Sequence, residues 1–309
     1  MPSLSKIVAV GMFDGVHAGH RFVIDELKRL GARYDMQPVV VTFDVHPKSV
    51  ICPGKAPGLL TDTECRVRLL SDAGIEEVVV LPFTEELRNM TAREFAQTYL
   101  RDRLGAKGVL IGYDNGFGSD RLRGAEAYRA ELTPMGLSVF QCARHGDSNS
   151  PDTAAVSSSA VRRALAQGDI TAVNRMLGRP FSLSGKVVHG KQLGRTIGFP
   201  TANVEVSPDL ALPACGVYAA FAYVDSRKCP AMVNVGTNPT VNPHGAPVTV
   251  EAHIIAPDGE EVPDLYGHIV TLEFMARLRG EQRFATLADL QAALHSDRTA
   301  TLHLLHGTE

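Results

Sequence analysis

The chain has no excess of positive charge: 31 lysines and arginines face 34 aspartates and glutamates, a formal net charge of −3 over 309 residues. Nothing in that balance gathers nucleic acid or an anionic membrane, so any anionic ligand must be held by a local site. Long apolar runs are also missing. Stretches such as Val78 to Leu81 fall far short of the ~20 residues needed to span a bilayer. The opening stretch, MPSLSKIVAVGMFDG, is cut by two glycines and Asp14 and lacks the pattern of a cleaved secretory signal, so a cytoplasmic protein is expected. Five cysteines (Cys52, Cys65, Cys142, Cys215, Cys229) form no C-x-x-C pair, which argues against a disulfide framework or structural zinc. They read as small hydrophobes. What is present, 44% hydrophobic and 21% charged residues, suits an ordinary globular protein with material for two cores.

The two halves follow different rules. From Lys6 to Phe140, valine-rich runs (KIVAVGMF, PVVVTF, EVVVLPF, KGVLIG, LSVFQC) alternate with helical spacing over Arg21–Leu30 and Ala92–Leu104. That alternation predicts βαβ units and a parallel sheet buried on both faces. Two short helices are expected next, SSSAVRRALAQ and ITAVNRML, parted by Gly168-Asp169 and stopped at Gly178. Beyond them FSLSGKVV, GVYAAFAYV, AMVNVG, VTVEAHII and HIVTLEFM read as strands of a small β-barrel-like domain, and Leu287 to Leu294 returns to helical spacing. An α/β domain over residues 1–180 followed by a β domain over 181–309 is the expected division.

The first strand runs into Gly11-Met12-Phe13-Asp14-Gly15-Val16-His17-Ala18-Gly19-His20, which opens a helix. Glycines permit close backbone approach, and free amides at a helix start suit a phosphate. His17 and His20, three apart, share one side of that helix and can donate hydrogen bonds to a polyphosphate as pyrophosphate leaves. Two solvated histidines beside a glycine turn are the plain alternative, but the end of the first strand of a parallel sheet is where such folds bind ligands. No cysteine or third ligand lies near for zinc.

This segment resembles the G-x-F-D-G-x-H-x-G-H signature of the FMN adenylyltransferase module of bifunctional riboflavin kinase/FAD synthetases, within the wider HxGH nucleotidyltransferase fold, a Rossmann-like parallel-sheet domain. Other pieces match in order: Phe43-Asp44-Val45-His46-Pro47, Gly112-Tyr113-Asp114 with Phe117-Gly118, and Val156-Ser157-Ser158-Ser159-Ala160-Val161-Arg162. The resemblance implies nucleotide contacts at Gly11, Phe13, Asp14, Gly19, Ser158 and Ser159, catalytic roles for His17, His20 and Arg162, and flavin contacts at Phe43, His46 and Asp114. A hydroxyl-rich helix start with an arginine fits phosphate, and Ser158 also reads as an ordinary N-cap. The chain departs from the pattern where Val45 replaces proline, Asn115 replaces phenylalanine, Gly116 takes the variable position and Ser159 replaces threonine.

In the second half, Gly185, Gly190, Gly194 and Gly198, with Lys191 and Arg195 between them, describe a backbone able to wrap phosphates, though not a Walker A motif. Thr201 and Asn203 offer oxygen ligands of the kind magnesium accepts. The segment resembles the riboflavin kinase signature G-x-x-x-G-R-x-x-G-F-P-T-A-N, and the likeness continues through Pro213-x-x-Gly216-Val217-Tyr218, Asn234-x-Gly236-x-x-Pro239-Thr240, Glu251-x-His253, Leu265-Tyr266-Gly267 and Leu278-Arg279-x-Glu281. It implies an antiparallel barrel with a C-terminal helix, ATP at the glycine loop, Mg²⁺ at Thr201 and Asn203, Glu251 as base for the ribityl 5′-hydroxyl, and flavin contacts at Asn234 and Arg279. The expected substrates are riboflavin, FMN and ATP, with neither nucleic acid nor membrane as partner. A kinase with a degenerate N-terminal half, and a flavin- or nucleotide-binding regulator without turnover, are the competing readings.

Overall fold

The structure, a computed structural model, describes residues 5–112, 116–143, 156–190, 194, 197–225, 227–237, 248–256 and 263–306. It divides into two compact units, Met1–Ser158 and Ser159–Glu309.

In the first unit, strands β1 (Ser5–Val10), β2 (Met36–Phe43), β3 (Glu77–Leu81), β4 (Ala106–Ile111) and β5 (Ser138–Gln141) form a parallel sheet in the order β3-β2-β1-β4-β5. The valine runs follow from burial on both faces. Val8, Val39, Val41 and Val109 pack with Phe95, Leu100 and Tyr128, while the intervening Ile7, Ala9, Val40 and Leu110 pack with Ile24, Leu27 and Leu30. Strand order reverses between β1 and β4, which opens a crevice at their carboxyl ends. Helix α1 (Ala18–Tyr34) follows β1. Helices α2 (Pro47–Ile51) and α3 (Thr63–Asp72) follow β2. Asp62 caps α3 by accepting the Cys65 amide at 2.7 Å.

The helix expected over 92–104 takes an unforeseen form. After α4 (Glu85–Asn89), α5 (Ala92–Phe95) begins with a Thr91/Glu94 capping box, then widens into a π-helix over Ala96–Arg103. Wide turns bring Phe95 and Leu100, five residues apart, into the same core, with Tyr99 stacked on Phe95 at 5.2 Å. Helix α6 (Gly124–Leu132) leads to β5.

The second unit takes up α7 (Ser158–Gln167) from Ser159 onward and continues into α8 (Ile170–Leu177), which is capped by Asp169 and, as the sequence predicts, ended by Gly178, at φ +67°. Asn174 ties α8 to the barrel, donating to the Phe274 carbonyl at 2.9 Å and accepting the Phe181 amide at 2.8 Å. The expected boundary at 180/181 falls between α8 and the first barrel strand, whereas the compact units divide earlier, at 158/159. Six strands, β6 (Phe181–Val188), β7 (Ala202–Glu205), β8 (Gly216–Val224), β9 (Arg227–Thr237), β10 (Val248–Ile254) and β11 (Ile269–Gly280), close in the order β10-β7-β6-β11-β8-β9.

The last helix, α9 (Leu287–His306), is far longer than the expected Leu287–Leu294. Its inner face beyond Leu294 buries Asp297, Thr301 and Leu305, so polar residues sit where apolar periodicity is sought.

Candidate active sites

The crevice of the first unit is a cavity of about 540 Å³ at the ends of β1 and β2, lined among others by Gly11, Asp14, His20, Phe43, Phe117 and Ser158. Its floor is a strained turn: Phe13 and the β-branched Val16 adopt φ of +49° and +39° on either side of Gly15 at +82°. Such conformations persist only when the surroundings over-determine them. Asp14 does this, because its buried carboxylate accepts the Leu60 amide at 2.9 Å and the Thr61 amide at 3.1 Å, while Thr61 Oγ1 accepts the Gly15 amide. The Asp14 side chain thus braces the turn against the Leu60-Thr61 backbone, and Asp14 also lines the cavity.

His17 caps α1, its Nδ1 accepting the His20 amide at 3.3 Å. That leaves the neutral ring its proton on Nε2. The His17 and His20 rings stack at 3.7 Å with 15° between planes. They are not the solvated pair of the plain alternative. His17 is buried, His20 half-buried, and His20 Nδ1 is enclosed without a hydrogen-bond partner among the described residues. Burial, and secondarily the neighbouring His17, hold the His20 pKa well below 6.5.

Several expected residues take other places. Ser158 Oγ donates to the Asp14 carbonyl at 3.0 Å, and α7 begins at Ser158 itself, so this hydroxyl joins two parts of the crevice wall and is not the N-cap residue. His46 caps α2, its Nδ1 accepting the Lys48 amide at 3.0 Å, and the cavity is lined instead by the following Pro47. Phe43 packs edge-on against Phe83 at 5.1 Å. Arg162 and Ser159 lie on α7, in the second unit. Gly19 opens α1 one residue after Ala18. Asp114 and Asn115 lie outside the described residues. Sequence reading missed Arg66 on α3, fully buried, which donates to the Phe43 carbonyl and to Thr63 Oγ1. Burial lowers its pKa, against the opposing pull of Asp14, Asp62 and Asp44.

On the barrel, register assembles the second site. Val187, Val204, Val250 and Val235 form a buried row inside the barrel. One residue along, the pairings Asn203↔Glu251, Glu251↔Asn234, Asn234↔Val217 and Val217↔Arg279 make a row on the outer face. Glu251, Asn234, Val217 and Arg279 of this row line a cavity of about 580 Å³, whose lining also includes Phe284, Leu290 and Leu294, while Asn203 pairs with Glu251 at its edge. Thr201 joins the lining.

The glycine segment is closely packed where it is described. A Cβ on Gly190 would lie 2.0 Å from Asn203 Nδ2, and one on Gly194 would lie 2.1 Å from the Phe199 carbonyl oxygen. Gly198 turns at φ +82°. Gly185 differs from expectation: it lies within β6 opposite Val270, where a Cβ would meet the Glu205 carbonyl at 2.3 Å, so it is a strand-crossing glycine of the barrel. Lys191, Arg195, Pro239 and Thr240 lie outside the described residues. No group of three or more His, Cys, Asp or Glu able to hold a metal occurs among the described residues.

Arg279 lines the cavity and is also paired with the last helix. Asp297 of α9 accepts from its Nε at 3.0–3.1 Å and from its terminal nitrogen at 2.8 Å. This forked pair fastens α9 beside the cavity. Asp297→Ala is expected to leave a largely buried guanidinium uncompensated and to destabilise the protein by about 3 kcal/mol, read as a lowered urea midpoint.

A family model for FAD synthetase matches residues 3–160, and one for riboflavin kinase matches residues 177–305. The bifunctional riboflavin kinase/FMN adenylyltransferase of Pseudomonas fluorescens is 33% identical over 294 residues, covering 95% of this chain and 91% of its own length. That of Escherichia coli (strain K12) is 33% identical over 297 residues, covering 96% and 91%. The chain belongs to the bifunctional riboflavin kinase/FMN adenylyltransferase family. The parallel-sheet unit and the barrel are the two modules that this riboflavin kinase/FMN adenylyltransferase resemblance implies. A crystal structure described as a macrolide-efflux protein from Streptococcus pneumoniae shares the fold with a TM-score of 0.82 and 30% identity, covering 97% of this chain and 94% of its own.

A pH dependence follows from His20. Its folded pKa is depressed below 6.5, so the unfolded chain binds the proton first as pH falls. The stability contributed by the neutral buried ring is complete above about pH 6.5 and declines below it. Urea midpoints measured from pH 8 to pH 5 are expected to fall more steeply for wild type than for His20→Gln.

Proposed function

We propose that both reactions of the family run on this chain, each on its own unit. On the barrel, ATP phosphorylates riboflavin. Glu251 takes the proton of the ribityl 5′-hydroxyl, the new phosphorus–oxygen bond forms in line with the one that breaks, and FMN and ADP result. The observation that carries this reading is the outward row Asn203–Glu251–Asn234 across three strands, which sets a carboxylate between two amides, with Glu251 and Asn234 lining the cavity. Asn234 and Arg279 are the proposed flavin contacts, and Gly190, Lys191, Gly194, Arg195 and Gly198 the proposed phosphate loop.

Thr201 and Asn203 fit magnesium. Both offer neutral oxygens, and the Gly190 backbone packs on Asn203 so tightly that a methyl group has no room. Magnesium is commonly held by few protein oxygens together with substrate phosphates. Bound there with ATP, it would supply charge neutralisation on the transferred phosphoryl group.

On the parallel-sheet unit, the FMN phosphate attacks the α-phosphorus of a second ATP, and FAD and pyrophosphate leave. His17 and His20, with the amides at the start of α1, stabilise the charge that develops on the departing pyrophosphate. Gly11, Phe13, Gly19 and Ser158 complete the proposed nucleotide site, and Phe43 and Asp114 the flavin side. The proposed setting is the cytoplasm, and no helix among the described residues is long and apolar enough to cross a membrane.

The test is a product profile with Mg²⁺ and ATP, feeding riboflavin in one reaction and FMN in another. FAD in both is the expected result. FMN without FAD from either would mean that the first unit does not turn over, and no product at all would favour a binding protein.

A further inference from the structure

We propose that His253 is a positioning residue of the kinase reaction: through Pro200 it holds Thr201 and Asn203 in place beside Glu251. The inference rests on the kinase reading of the barrel site.

His253 follows Glu251 by two residues on β10, so both side chains belong to the outer face and both line the cavity. Its Nδ1 lies 2.8 Å from the Pro200 carbonyl oxygen. A carbonyl only accepts, so Nδ1 carries the ring proton and the ring orientation is set. The position of that bond matters. The pairing of β7 with β10 ends at Ala202↔Ala252, which leaves Pro200 and Thr201 beyond the end of the ladder. The imidazole N–H supplies there, from a side chain, the hold that the next backbone pair would otherwise give.

The neighbouring residue is gripped as well. Phe199 is buried, with its ring 5.1 Å from His253 and 5.0 Å from His295 of α9, and its amide donates to the Gly194 carbonyl at 2.8 Å. One imidazole therefore contacts both residues that precede Thr201, and through them the turn of the glycine segment. Misplacing a reacting group by about 1 Å costs on the order of 100-fold in rate.

His253→Phe retains a ring against Phe199 and removes the N–H. In riboflavin phosphorylation it is expected to lower kcat/KM for ATP by about 100-fold while the KM for riboflavin stays within twofold. His253→Asn, whose amide nitrogen replaces Nδ1, is expected to recover most of that loss. Two measurements do not depend on turnover. Calorimetric titration of the full chain with MgADP should show one of two nucleotide sites weakened in His253→Phe and restored in His253→Asn, and riboflavin binding followed by flavin fluorescence should be unchanged. FAD formation from FMN serves as the check that each variant is folded.

Wild-type MgADP binding and ATP parameters in His253→Phe would overturn the proposal. So would an asparagine variant no better than phenylalanine, or riboflavin binding weakened as much as nucleotide binding. A wild-type chain that makes no FMN from riboflavin would instead overturn the kinase reading on which the proposal rests.

Discussion

Replacing Glu251 by glutamine is expected to slow riboflavin phosphorylation by about 10²–10⁴-fold and to leave FAD formation from supplied FMN at its wild-type rate. Glutamine keeps the volume and the hydrogen-bonding reach of the side chain, so the row from Asn203 through position 251 to Asn234 would persist and the cavity would retain its shape. What is lost is the only function glutamine cannot supply, the acceptance of a proton. Chromatography of flavin products over time, with riboflavin and FMN as alternative substrates, separates the two rates in one preparation. Survival of both activities would move the base to another residue.

His20→Ala is expected to give the opposite profile, with FAD formation from FMN down by about 10²–10³-fold and FMN formation from riboflavin intact. The ring stacks on His17, sits at the start of α1 and lines the crevice. Removing it deletes one donor from a prearranged set, and such donors act most strongly where charge develops. Riboflavin fed to this variant should accumulate as FMN. Equal damage to both reactions, together with a lowered melting temperature, would indicate a folding defect in place of a chemical one.

Much of this was legible before any coordinates. The valine runs forecast a sheet buried on both faces, and Val8 and its neighbours Ile7 and Ala9 enter separate cores as expected. Asp169 and Gly178 marked the ends of α8, because capping depends on a residue and its nearest amides. Thr201, Asn203, Asn234 and Glu251 stood out by motif, and the barrel brings Thr201, Asn234 and Glu251 to one cavity with Asn203 paired beside Glu251.

Other features were hidden for physical reasons. A buried charge reads in a sequence as a solvated one, so Arg66, within α3, gave no signal of its place behind the crevice. Asp297 concealed the second half of α9 in the same way, since the buried face of that helix is polar there. Gly185 resembled a member of the phosphate loop because four glycines occur close together, yet a neighbouring strand, not a ligand, requires it to lack a side chain.

Local patterning was therefore enough for most of the strands and for the ends of α8, and motif resemblance for the two modules. Those features depend on periodicity and on neighbours within a few positions. Only the tertiary structure decided which polar group meets which: Asp14 with the Leu60 and Thr61 amides, Arg279 with Asp297, His253 with Pro200. Each of these pairs joins different segments of the chain, and a hydrogen bond weakens steeply with distance and angle. Its partner is set by strand register and helix docking, which no single stretch of residues contains.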